Sequence, residues 1–145
     1  MYQGVEFKIT APADLVWVNA EHLPLTQALV QVLRNAMQAV RGQPRHSIEA
    51  VLETSDKEAW IEVRDSGPGF TPQLLSQNFA GAMPRLDALT GQGLFMTQGI
   101  LGQFQGYLSL SNGENGGARV RLMLPVQRAL ARTEPAGSTV LTGGW

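Results

Sequence analysis

Apolar residues recur at Leu25, Leu29, Val32, Leu33, Ala36 and Val40, the three-and-four spacing of one helical stripe. The stripe predicts a long helix over about 21–41, with Pro24 in its first turn and Gly42 at its stop. Val5 to Thr10 alternates apolar and polar residues, and Leu15 to Val18 is a short apolar run; both predict strands. Ser47 to Glu53 and Ala59 to Asp65 predict a hairpin turning at Ser55-Asp56-Lys57. Thr71-Pro72 predicts the cap of a short helix reaching Gln77. The stretch 78–90 has no clean period and reads as a loop. Leu94 to Phe104 predicts a helix, although Gly99 and Gly102 lower its propensity. Tyr107 to Ser111 and Ala118 to Leu124 predict strands around a turn rich in Asn and Gly. This order predicts a two-layer α/β sandwich, a mixed and mostly antiparallel sheet covered on one face by about three helices.

The length of 145 residues suits one domain with a real core, expected over 1–130, and a low-complexity tail is expected over 131–145. A net charge of -1 gives no basic field, so no nucleic-acid partner is expected. With no cysteine, disulfides, thiolate metal sites and a cysteine nucleophile are excluded. No apolar run reaches the roughly eighteen residues of a membrane span and no secretory leader opens the chain, so a soluble domain without direct membrane contact is expected.

A second stripe on the long helix changes the picture. Gln27, Gln31, Asn35 and Gln38 fall on one side at about 100° per residue, with Asn35 bordering the apolar arc. A freely solvated face favours charges, so neutral amides beside a core suggest a semi-enclosed polar site. Taken alone, Asn35 reads as a satisfied surface amide. Asp65-Ser66-Gly67-Pro68-Gly69 closes a strand, and by itself the pattern is a common turn. Gly91-Gln92-Gly93-Leu94 opens the predicted third helix, where glycines and a helix N-terminus offer backbone N–H groups to an anion.

In this order and at these intervals, the three segments resemble the ATP-binding domain of the GHKL superfamily, which groups gyrase, MutL and the histidine kinases, and the histidine-kinase branch fits best. The resemblance covers roughly Val16 to Pro125 and implies a Bergerat-type fold. It implies that Asn35 is a catalytic and metal-ligating residue binding Mg²⁺ beside the nucleotide, with Ala39 a small residue of the same box. Gln31 stands where the family has its first Asn and is the second catalytic candidate. Asp65 would accept a hydrogen bond from the adenine amino group, with Gly67 and Gly69 approaching the nucleotide. Gly106, thirteen positions after Gly93, sets the register that makes Gly91, Gly93 and Leu94 the phosphate-side segment. Leu89 stands for a glycine of that segment, Ala118 for a common Thr, and the lid expected over 78–90 holds Phe79 and Arg85 but no Phe-rich box.

The implied cofactors are ATP and Mg²⁺. The implied activity is transfer of the ATP γ-phosphoryl group to a histidine on a separate dimerisation domain, with a response regulator as indirect partner. His22 and His46, the only histidines, do not open a His-Glu or His-Asp pattern, so the phosphoacceptor is expected outside this chain. A cytoplasmic location is expected, in a parent protein that can be membrane-anchored, with the fragment itself a monomer. A degenerate nucleotide- or partner-binding module and an anti-sigma-type serine kinase stay open as alternatives.

Overall fold

The computed structural model describes residues 4–76 and 89–127, with the side chains of 89–92 excepted. The expected tail over 131–145, and Phe79, Arg85 and most of the expected lid, lie outside the described residues. Five strands are described: β1 (Glu6–Thr10), β2 (Ser47–Thr54), β3 (Glu58–Asp65), β4 (Tyr107–Asn112) and β5 (Ala118–Pro125). The helices are α1 (His22–Val40), α2 (Pro72–Leu75) and α3 (Leu89–Gly102). The strand order is β1-β2-β3-β5-β4, with β1 parallel to β2 and every other neighbour antiparallel. The sheet is open and mixed, as the element order predicted.

The helical stripe explains the packing. Ala28, Val32, Ala36 and Val40 are buried on α1 and meet Ile48, Val63, Val120 and Leu122 of the sheet and Leu94 and Leu101 of α3. The Ser55 hydroxyl accepts N–H bonds from Lys57 and Glu58, closing the β2–β3 turn where Ser-Asp-Lys placed it. The Thr71 hydroxyl caps α2 by accepting the Leu74 N–H at 3.2 Å.

Two expectations need correction. The run Leu15 to Val18 is not a strand; Val18 makes an isolated bridge to Val126, just past β5. The third helix begins at Leu89, so Leu89 and Thr90 belong to α3 rather than to a loop. Glycine lowers helix propensity by about 1 kcal/mol, which is why Gly91 and Gly93 read as a break. Tertiary contact outweighs that cost here, because Leu94 and Leu101 of α3 are fully buried against Ala28, Val32 and Ala36 of α1. Gly93 abuts only the far end of the Gln31 side chain.

On the face of the sheet away from the helices, Glu62 is only 4% exposed and accepts hydrogen bonds from Arg64 (2.6 Å) and Arg121 (2.7 Å). Arg121 also lies over the Trp60 ring, 5.2 Å from its centroid. Burial alone would push the Glu62 carboxyl up, but the hydrogen bonds and charges of the two arginines outweigh it and hold it below the usual glutamate value. The stability it contributes is present above the unfolded pKa and is lost as pH falls through the lower folded value. Glu62→Ala removes the carboxylate that two arginines share, each roughly 40% exposed, leaving Arg64 its 3.6 Å contact with Glu49 and Arg121 its place over Trp60. Water relieves part of that loss, so a cost of about 1–3 kcal/mol is expected at neutral pH, read as a lower urea midpoint. The deficit should shrink when the titration is repeated in acid.

Candidate nucleotide site

β3 ends in Asp65, whose side chain lies on the same face as Ile61 and Val63, toward the helices. Asp65 is 9% exposed. Its Oδ1 accepts the Gly67 N–H at 2.8 Å and the Ala118 N–H at 3.2 Å. Among the described residues, no partner occupies Oδ2. Burial pushes the carboxyl above the usual aspartate value, against the pull of the two N–H bonds. The side chain is therefore fixed through one oxygen and presents the other.

The turn after Asp65 is held from three sides. A Cβ at Gly67 would lie 2.6 Å from the Ala39 carbonyl oxygen, so only glycine lets β3 run this close to α1. The Ser66 hydroxyl donates to the Arg45 carbonyl at 2.8 Å and accepts the Ser47 N–H at 2.9 Å. Asn112, at the end of β4, uses both ends of its amide. Its Oδ1 accepts the Phe70 N–H (2.8 Å) and its Nδ2 donates to the Phe70 carbonyl (3.0 Å), clamping the chain beside Gly69. Sequence reasoning missed this clamp. Asn112 reads as one more turn residue, and only the hairpin geometry brings it forty-two positions back to Phe70.

Gly117 seals the opposite wall. Its φ is +83°, and an added Cβ would collide with the Asp65 carbonyl oxygen. Gly117→Ala is expected to cost about 1–3 kcal/mol through left-handed strain and displacement of β3. Differential scanning calorimetry would show it as a lowered Tm.

The remaining residues come together on one flank of α1. Gln31, Asn35 and Ala39 are spaced by four, so they stand one above another. Gln31 abuts Gly93 of α3, and Ala39 abuts Gly67. Asn35, one turn from each, lies between the Asp65 turn and the start of α3. Asn35 is half-buried, and among the described residues its amide has no side-chain hydrogen bond. Gly91 falls in the first turn of α3, whose N–H groups have no partner in the helical ladder. Gly93 and Leu94 lie past that turn, where helical geometry engages their N–H groups. Leu94 is fully buried in the core. The helix starts five residues earlier than the sequence placed it, and Gly91 is the phosphate-side candidate whose N–H the helical ladder leaves unengaged.

The donor set fits a magnesium nucleotide. A free amide oxygen on Asn35 suits a hard cation that keeps water and phosphate as its other ligands. At Gly67 and Gly93 the bare backbone brings the turn and α3 against Ala39 and Gln31, so the flank of α1 that holds Asn35 stays next to both segments. Among the described residues no group of three or more His, Cys, Asp or Glu could hold a metal by itself, so a cation here would depend on the phosphates. A cleft of about 390 Å³ opens on the other side of the same sheet end, lined by Glu49, Arg64, Arg119 and the 113–117 turn. Asp65, Ser66 and Gly67 line it, but Gln31, Asn35 and Ala39 do not. The helix side carries the functional reading, because the Asp65 side chain lies on the face of β3 shared with Ile61 and Val63.

An open five-stranded mixed sheet, backed by α1 and α3, is the histidine-kinase catalytic-domain fold. The nucleotide-free catalytic domain of histidine kinase ThkA matches it with a TM-score of 0.71 at 22% identity, over 84% of this chain and 80% of that one. Full-length ShkA in complex with AMPPNP matches with a TM-score of 0.65 at 22% identity, over 85% of this chain and 26% of that one. The chain belongs to the family of histidine kinase-, DNA gyrase B-, and HSP90-like ATPases, which it matches over residues 20–128. The sensor histidine kinase ZraS of Salmonella typhimurium is 32% identical over 122 residues, which are 84% of this chain and 26% of that protein. The chain therefore spans about a quarter of that relative's length.

Proposed function

We propose that the chain is the ATP-binding catalytic domain of a sensor histidine kinase. Its two oxygens divide the work at Asp65, and this observation carries the reading. Oδ1 is spent on the Gly67 and Ala118 N–H groups, while Oδ2 is left to accept the amino proton of adenine. Guanine presents a carbonyl at that position, which would oppose two acceptors and leave both unpaired. Asn35 would hold Mg²⁺, which when bound neutralises phosphate charge. Gln31 polarises the same flank, and the free N–H groups of the first turn of α3, Gly91 included, face the phosphates. Gly69 and Ala39 shape the walls around the base.

Among the described residues the site holds no nucleophile that the fold has activated, which suits phosphoryl transfer driven by positioning and charge neutralisation. The acceptor is a histidine on a dimerisation domain outside this chain, and a response regulator receives the phosphoryl group later. The family and the naming of ZraS as a sensor histidine kinase support this. Among the described residues no helix is long and apolar enough to cross a membrane.

The test is phosphoryl transfer in trans. With γ-labelled ATP, Mg²⁺ and a matched dimerisation domain, acid-labile label should appear on the histidine. Nucleotide binding without transfer would favour a degenerate binding module. Acid-stable label on a partner serine would favour an anti-sigma-type kinase.

A further inference from the structure

Among the described residues β1 is an edge strand, and all five of its residues are exposed. The helical layer stops short of it. Phe7 stands opposite Ile48 and Ile9 opposite Ala50, so both point to the helix side of the sheet, yet they are 50% and 67% exposed. The other face of the strand carries Glu6, Lys8 and Thr10.

Backbone direction decides what the open edge offers. The Glu6 N–H donates to the His46 carbonyl at 2.9 Å, so the polar groups of Glu6, Lys8 and Thr10 face β2. Those of Val5, Phe7 and Ile9 then point outward, since successive residues alternate edges. An antiparallel copy of the strand can pair there in few registers. With Phe7 opposite Phe7 of the second copy, Glu6 falls opposite Lys8 and Val5 opposite Ile9. Shifting the centre by one residue puts Lys8 against Lys8 or Glu6 against Glu6, like charges directly across the ladder. A lysine on an edge strand ordinarily blocks self-pairing. Here Glu6, two residues earlier, neutralises it in one register alone.

We propose that β1 is a self-complementary docking edge that pairs antiparallel with β1 of a second copy of this chain about a two-fold at Phe7. The two sheets then continue as one of ten strands. Phe7 stacks on Phe7 in the hydrogen-bonded pair, Val5 and Ile9 cover each other on the helix side, and two Glu6–Lys8 pairs close the other face. The interface is isologous and closes at two. It is independent of the nucleotide site and departs from the monomer expected from the sequence.

Two paired five-residue strands bury less than a standard interface, so the association is weak and must be read at high concentration. Sedimentation equilibrium of the chain, from micromolar to millimolar, should show a monomer–dimer equilibrium. Glu6→Lys and Lys8→Glu each set like charges opposite in both symmetric pairs and should weaken dimerisation about tenfold or more. The double variant E6K/K8E restores opposite charges and should recover most of the loss. Lys8 also faces Glu49 on β2, so the deciding comparison is K8E against E6K/K8E, where that change is common to both. Thermal melts confirm that each variant is folded. A wild-type chain that stays monomeric into the millimolar range overturns the proposal. So does a dimer that both single reversals leave unchanged, or one that the double variant fails to restore.

Discussion

Asp65→Asn is expected to weaken adenine-nucleotide binding by about 1–3 kcal/mol while leaving the fold as stable as before, or more so. The carbonyl of asparagine still accepts the Gly67 and Ala118 N–H bonds that Oδ1 accepts now. What changes is the second position, where an acceptor becomes an NH₂ donor facing the adenine amino group. The stability half follows from linkage. Burial holds the Asp65 pKa above its unfolded value, so the folded chain binds that proton more tightly than the unfolded chain does. The contribution is full below the unfolded pKa and is lost as pH rises through the folded one. At neutral pH the ionised carboxylate therefore costs stability, and the neutral amide removes that cost. Calorimetric titration with ATP and a thermal melt of the same variant separate the two halves. A fall in Tm beside the loss of binding would make Asp65 a structural residue first.

Asn35→Ala should abolish the dependence of nucleotide affinity on Mg²⁺. Removing a direct metal ligand is expected to cost at least the 10–100-fold that loss of an outer-shell partner typically costs. Binding of ATP in EDTA should change little, because the amide makes no side-chain hydrogen bond to the described protein that its removal would break. The readout is the ratio of Kd values with and without Mg²⁺. A ratio equal to that of the unmutated chain would remove Asn35 from the metal site.

The sequence was most legible where a period or a spacing forces a contact. The α1 stripe gave the core face from helical geometry alone, whereas the polar stripe of Gln27, Gln31, Asn35 and Gln38 gave only a candidate flank, to which the resemblance added Ala39 and the roles. Gly67 and Gly106 were identifiable as glycines, and their reasons lie in the packing. A Cβ at Gly67 would meet Ala39, and one at Gly106 would collide with the Met123 carbonyl oxygen. The start of α3 was misplaced because local propensity counts Gly91 and Gly93 against a helix, whereas the burial of Leu94 and Leu101 against α1 is non-local. The strand expected at Leu15 to Val18 failed for the opposite reason. Its apolar residues satisfy the pattern, but the single bridge at Val18 is the pairing it finds in the described sheet. The Asn112 clamp and the Glu62–Arg64–Arg121 network were invisible, because both depend on which residues the strand registers set side by side.

The central claim is that this site reads adenine through Asp65 and holds the phosphates with Mg²⁺. Thermal melts of the unmutated chain with ATP, ADP and GTP, each with and without Mg²⁺, test it most directly. Binding to the folded state alone raises stability by about 2.7 kcal/mol at a hundredfold excess of ligand over Kd. The account expects a rise in Tm with ATP and with ADP, larger when Mg²⁺ is present, and little change with GTP. No shift with millimolar Mg²⁺-ATP, or an equal shift with GTP, would contradict it.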